Sequence, residues 1–256
     1  MNTFLQKLHS ALLASAILST CGPAIAQPDC ANWNTETFFK TATAADVATC
    51  LGSGADIGAR DDGGRTPLHF ATGFGTLETV NALVAARADI GARTDLGYTP
   101  LHFATGFGTL ETVNALVAAR ADIGARADLG ITPLHTAALT GTPETVNTLV
   151  AAGANIEARA EGGFTPLHLA AGTGTPETVN ALVAAGADIG ARAKGGFTPL
   201  HIAALTGTPE TVNALVAAGA DPKARVNGQL PADLAEDNEQ VRNHPVFWEL
   251  SEAKYK

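Results

Sequence analysis

The chain has 256 residues, 46% of them hydrophobic, with 16 Lys and Arg against 25 Asp and Glu for a net charge of −9. That hydrophobic share, heavily Ala, excludes a disordered chain, and the acidic balance argues against a nucleic-acid partner, which needs a basic stripe. It favours solubility and fits a basic partner without naming one.

Residues 1–26 read as a secretory signal rather than as part of the fold. Lys7 and His9 precede an apolar run from Ala11 to Leu18, and Ala24-Ile25-Ala26 fits the small-x-small cleavage pattern, so Gln27 is the expected mature start. The run is too short to span a bilayer, and no other membrane segment is expected. The alternative is a lipoprotein signal with Cys21 lipidated, although Thr20 before it fits that pattern poorly. Cleavage leaves 15 basic and 25 acidic side chains, a net charge of −10. A periplasmic location is the expectation, with full secretion as the alternative.

Residues 27–58 read as an N-terminal capping unit. Asn34, Thr35 and Glu36 open a helix through Phe38 and Phe39, and Ala45 to Leu51 form a second one running back against it. This brings Cys30 and Cys50 near each other, and in an exported chain a disulfide is the favoured state; two buried free thiols are the alternative. Trp33, Phe38 and Phe39 are expected to cover the open end of the next unit.

From 59 to 224 the sequence repeats. TPLH begins at Thr66, Thr99, Thr132, Thr165 and Thr198, a period of 33, and Thr66 to Arg93 recurs letter for letter from Thr99 to Arg126. Such a period means stacked units rather than one closed globule. In each unit Thr-Pro starts a short helix, since the Thr oxygen can accept an orphan amide and Pro at the first position has none to lose. Thr142-Pro143-Glu144 starts a second helix, with Val146, Leu149 and Val150 as its inward stripe and Gly153 as its stop. The Gly-rich segment from Asn155 to Phe164 then leads, as a hairpin-like turn, into the next Thr-Pro.

The 33-residue period, TPLHxA, the small Ala pair, the VxxLV stripe and the terminal GAD resemble the ankyrin repeat over about 66–224. The resemblance implies an all-α repeat solenoid: a curved stack of helix pairs with hairpin tips along one edge, used to bind proteins. It also implies that His69, His102, His135, His168 and His201 bond to the backbone of their own and the next hairpin. A metal role is disfavoured independently, because units about 10 Å apart hold imidazoles too far apart to share an ion. Arg60, Arg93, Arg126, Arg159, Arg192 and Arg225 each follow an acidic or amide residue by four and read as a surface charge ladder.

Comparison of the copies separates scaffold from face. The residue before each Thr varies (Arg65, Tyr98, Ile131, Phe164, Phe197), as does the one after each His (Phe70, Phe103, Thr136, Leu169, Ile202). A third variable position holds Phe74, Phe107, Leu139, Thr173 and Leu205. Positions that the stack does not need are expected to form an exposed apolar patch, the signature of a contact site; packing against neighbouring units is the alternative. In the ankyrin-like arrangement this side and the hairpin edge form the concave surface. Two departures stand out: Arg87 and Arg120 occupy helix ends where other copies have Gly54, Gly153, Gly186 and Gly219, and Gly58, Gly91, Gly124 and Gly190 replace the usual hairpin Asn, which suggests looser tips.

Residues 225–256 read as a C-terminal capping unit. Pro231 falls 32 rather than 33 residues after Pro199, with Asp233 where His stood. Pro245 opens a last helix with Val246, Phe247, Trp248 and Leu250 largely inward and Glu249, Glu252, Lys254 and Lys256 outward. The function expected is an exported, non-catalytic scaffold for a protein partner, with self-association as the alternative and no cofactor. No GxSxG, HExxH or phosphate-cradling loop supports an enzyme.

Overall fold

A computed structural model describes residues 28–252. The expected signal segment, Cys21, Lys254 and Lys256 lie outside the described residues. The cap opens with α1 (Glu36–Thr41) and α2 (Ala44–Gly52). Thr35 and Thr43 accept the amides of Phe38 and Asp46 as their N-caps, each such cap being worth about 1 kcal/mol. Five pairs follow: α3 (Pro67–Phe74) with α4 (Leu77–Ala85), α5 (Pro100–Phe107) with α6 (Leu110–Ala118), α7 (Pro133–Thr140) with α8 (Pro143–Ala151), α9 (Pro166–Thr173) with α10 (Pro176–Ala184), and α11 (Pro199–Thr206) with α12 (Pro209–Ala217). The C-terminal unit holds α13 (Pro231–Ala235), α14 (Glu239–Arg242) and α15 (Val246–Glu252). The all-α solenoid is as expected.

First helices pack on first helices and second on second, so each pair hides its apolar side only against its neighbours. Leu68, Leu101, Leu134, Leu167 and Leu200 form a buried row, and Val80, Val113, Val146, Val179 and Val212 form another. Truncating one of the leucines to Ala costs about 2–5 kcal/mol, since both flanking units lose contacts. The connections are hairpin-like without being strands among the described residues; the Ala160 amide donates to the Phe164 carbonyl at 2.8 Å, and an isolated bridge joins Val226 and Gln229. The tips are tied rather than loose, which corrects the reading of Gly58, Gly91, Gly124 and Gly190. Asp56, Asp89, Asp122 and Asp188 each accept the amide two residues on, at 2.9–3.0 Å. The Asp95 and Asp128 amides also donate to Gly63 and Leu96 of the preceding tip.

In the N-terminal cap Cys30 and Cys50 face each other at a distance that suits a disulfide, their Cα atoms 5.3 Å apart. Trp33, Phe38 and Phe39 are buried against one another, with ring centroids 5.0–5.9 Å apart. Trp33 Nε1 donates to the Asp56 carbonyl at 2.9 Å. At the other end Val246 and Leu250 are buried as expected, but Trp248 is 70% exposed, which corrects its inward assignment. Residues 246 and 250 are four apart on one helical face, and 248 falls across the helix from both.

Candidate protein-binding face

The recurring histidines are built into the stack. Thr66 N–H donates to His69 Nδ1 at 3.0 Å, so the proton sits on Nε2, which donates to the Tyr98 carbonyl of the next unit at 3.0 Å. His102, His135 and His168 repeat this with Ile131, Phe164 and Phe197 at 3.0–3.2 Å. Burial lowers the pKa of these four to about 4, so they are neutral. With both nitrogens engaged, none has a lone pair to offer a metal. His201 is also held low by burial, but its Nε2 has no hydrogen bond. The shortened last unit puts Gln229 where Phe197 stands for His168.

The arginine row bonds the tips together instead of forming a charge ladder. Arg93 Nη1 donates to the Gly97 carbonyl at 3.2 Å and the Arg126 carbonyl at 2.8 Å, and Arg60, Arg159 and Arg192 likewise reach a carbonyl of their own turn and one 33 residues on. Arg126 reaches Arg159, and Arg225 reaches Gly228. The acidic residue four back is occupied with its own turn, which is why the expected pairing does not form.

The variable positions divide. Tyr98, Ile131 and Phe70 are 7%, 0% and 3% exposed, and Leu169, Ile202 and Thr136 are also buried. The idea that the stack does not need these sites is therefore corrected for these six, and the carbonyls of Tyr98 and Ile131 also receive the Nε2–H of His69 and His102 from the preceding unit. Tyr98 packs its ring 5.3 Å from that of His102, and burial followed by the Asp128 charge raises its pKa. Phe164 and Phe197 are half-buried beside His168 and His201. Arg65 is half-buried, pairs with Asp61 at 2.6 Å, and places its guanidinium 4.8 Å from the Phe70 ring centroid. Burial acts to raise the Asp61 pKa, but hydrogen bonds from Arg65 outweigh it and hold the carboxylate below its usual range.

What remains accessible is a strip on the first helices. Phe74 and Phe107 stack at 5.7 Å, Phe103 lies 6.1 Å from Phe107, and all three are half-buried, as are Leu139 and Leu205 farther along. Phe103 also meets His69 edge-on at 5.2 Å. Lys40 from the cap, which sequence reasoning did not single out, stands 5.7 Å from the Phe74 centroid. An open cleft of about 390 Å³ lined by Asn34, Glu36, Lys40, Asp61, Arg65 and Phe70 borders the strip. It shows that the cap, the tip of the first unit and α3 share one side. Stacked and half-covered rings on a rigid face suit a protein contact, since they offer area at little entropic cost.

Comparison with known proteins agrees with this geometry. The family model described as ankyrin repeats matches three times, over residues 40–127, 107–193 and 134–226. The crystal structure of the human ASB11 ankyrin repeat domain is similar, with a TM-score of 0.72 and 26% sequence identity, covering 82% of this chain and 92% of that one. No curated protein matches the chain. Ankyrin repeats generally mediate protein–protein interaction, and no helix among the described residues is long and apolar enough to cross a membrane. With the family model spanning most of the chain and the 33-residue helix pairs stacked as described, this protein belongs to the ankyrin repeat family.

Proposed function

We propose that the chain is an exported, non-catalytic scaffold that holds a protein partner on the concave face formed by its first helices and hairpin tips. The observation that carries this reading is the strip of contiguous rings Phe74, Phe107 and Phe103, which the described chain leaves half-exposed on one face. Export rests on the N-terminal apolar run and the Ala24-Ile25-Ala26 site, and fits the Cys30–Cys50 pair. Because Tyr98 and Ile131 support the stack, the informative variant is Phe103→Ser with Phe107→Ser and Leu139→Ser. Crosslinked co-purification from the native compartment is expected to recover a partner with the parent chain and none with this variant, at matched folded fraction. Equal recovery by both rejects the face.

Self-association is the second reading, favoured by Trp248, 70% exposed with Phe247 5.7 Å away. A mass that rises with concentration and returns to the monomer value in Trp248→Ser would establish it; a constant monomer mass removes it.

A further inference from the structure

Two helices of identical sequence, α3 and α5, present the same ring in different states. In α3, Phe70 is 3% exposed beneath the Arg65 guanidinium, which Asp61 holds at 2.6 Å. In α5, Phe103 is half-buried; Thr94 and Tyr98 stand in place of Asp61 and Arg65, and Tyr98 lays its ring against His102. Likewise Lys40 stands over Phe74, but no cation among the described residues stands over Phe103 or Phe107. The first unit therefore sets the chain's own cations on its rings, and the second leaves the same rings half-exposed and without one. Aromatic faces attract cations, and guanidinium most readily.

The tips add charge of the right sign. Asp62, Asp95, Asp128 and Glu161 occupy one position in four successive tips, all exposed and without an ion-pair partner among the described residues. Arg65 links the two regions, since its carbonyl closes the turn with the Asp61 amide while its side chain reaches Phe70. Units spaced about 10 Å apart match every third residue of an extended peptide, which advances about 3.3 Å per residue.

We propose that the partner contributes a basic extended segment, with an Arg or Lys side chain laid over Phe103 and Phe107 and further cations facing Asp62, Asp95, Asp128 and Glu161. The inference rests on the scaffold reading and names its partner class. The chain's own Arg65 over Phe70 is the internal example of the contact, and the acidic balance of the chain steers such a segment toward it.

The probe is a fluorescein-labelled peptide with arginine at every third position among glycines, compared with its citrulline twin by fluorescence anisotropy on residues 27–256. The arginine peptide is expected to bind, more weakly as salt rises, and the citrulline twin at least tenfold more weakly. Thr94→Asp with Tyr98→Arg rebuilds the first unit's pair over Phe103 without altering net charge, and is expected to lower affinity at least tenfold. Because Tyr98 is buried, Phe103→Leu serves as a second variant that removes the ring and keeps apolar bulk; it too is expected to weaken binding. No binding of the arginine peptide, equal binding of the twin, or parent-like affinity in Phe103→Leu overturns the inference. Partner capture is decided separately: a captured partner whose bound segment is not basic overturns this inference and leaves the scaffold reading standing.

Discussion

Replacing Arg87 and Arg120 by Gly is expected to stabilise the protein, and the amount can be worked from the backbone. Both end their helices with φ of 67° and 66°, where Gly54, Gly153, Gly186 and Gly219 have φ of 92–96° and open space around a would-be Cβ. A side chain in the left-handed region costs about 1–2 kcal/mol, against which Gly loses about 0.5–1 kcal/mol more backbone freedom on folding. The net gain is about 0.5–1 kcal/mol per site. The sites lie one full unit apart, so the double variant gains about 1–2 kcal/mol, or roughly 2–8 °C in Tm for a chain of this size. Circular dichroism melts and urea titrations at neutral pH measure it. Arg87→Ala is the control, because it removes the charge and keeps the Cβ. No rise in the double variant, or an equal rise in the alanine control, refutes the conformational account.

Three further outcomes follow from the same contacts. His69, His102, His135 and His168 have folded pKa values of about 4, below the ordinary 6.5, so the unfolded chain binds more protons between those values. Their contribution is complete above about pH 6.5 and lost as pH falls toward 4, each adding up to about 1.4 kcal/mol per pH unit; a urea midpoint unchanged from pH 7 to 5 contradicts their neutrality. Reducing the Cys30–Cys50 pair, 20 residues apart, is expected to cost about 3 kcal/mol, read as earlier melting and faster amide exchange in α1 and α2 than elsewhere. Arg159→Gln removes bonds to the Gly163 and Arg192 carbonyls and is expected to cost about 1–2 kcal/mol. Because the acceptors are neutral, 1 M salt is expected to leave most of that difference in place; its disappearance would restore the charge-ladder reading.

The repeat period made most of the fold legible. Thr-Pro marked each first helix because its cap chemistry is local, and the helices do begin at Pro67, Pro100, Pro133, Pro166 and Pro199. The histidine bonds were legible through the family resemblance. Variation between copies was a poorer guide to exposure. Tyr98 and Ile131 differ from Arg65 and are buried all the same, because a packed site tolerates different side chains when its surroundings differ too. The arginine row misled because Asp89 and Arg93 suggest an ion pair by spacing, whereas the turn folds the carboxylate onto the Gly91 amide. Lys40 over Phe74 joins residues 34 apart from different units, and no local pattern announces it.

The central claim is that neighbouring units bury one another and leave the first-helix strip and the tips free to bind. Hydrogen–deuterium exchange of the mature chain, alone and with its captured partner, tests it most directly. The account predicts new protection in α3, α5 and α7 and in the tips around Asp95 and Asp128, with α4, α6 and α8 unchanged. Protection confined to α4, α6 and α8, or to the two capping units, would contradict it.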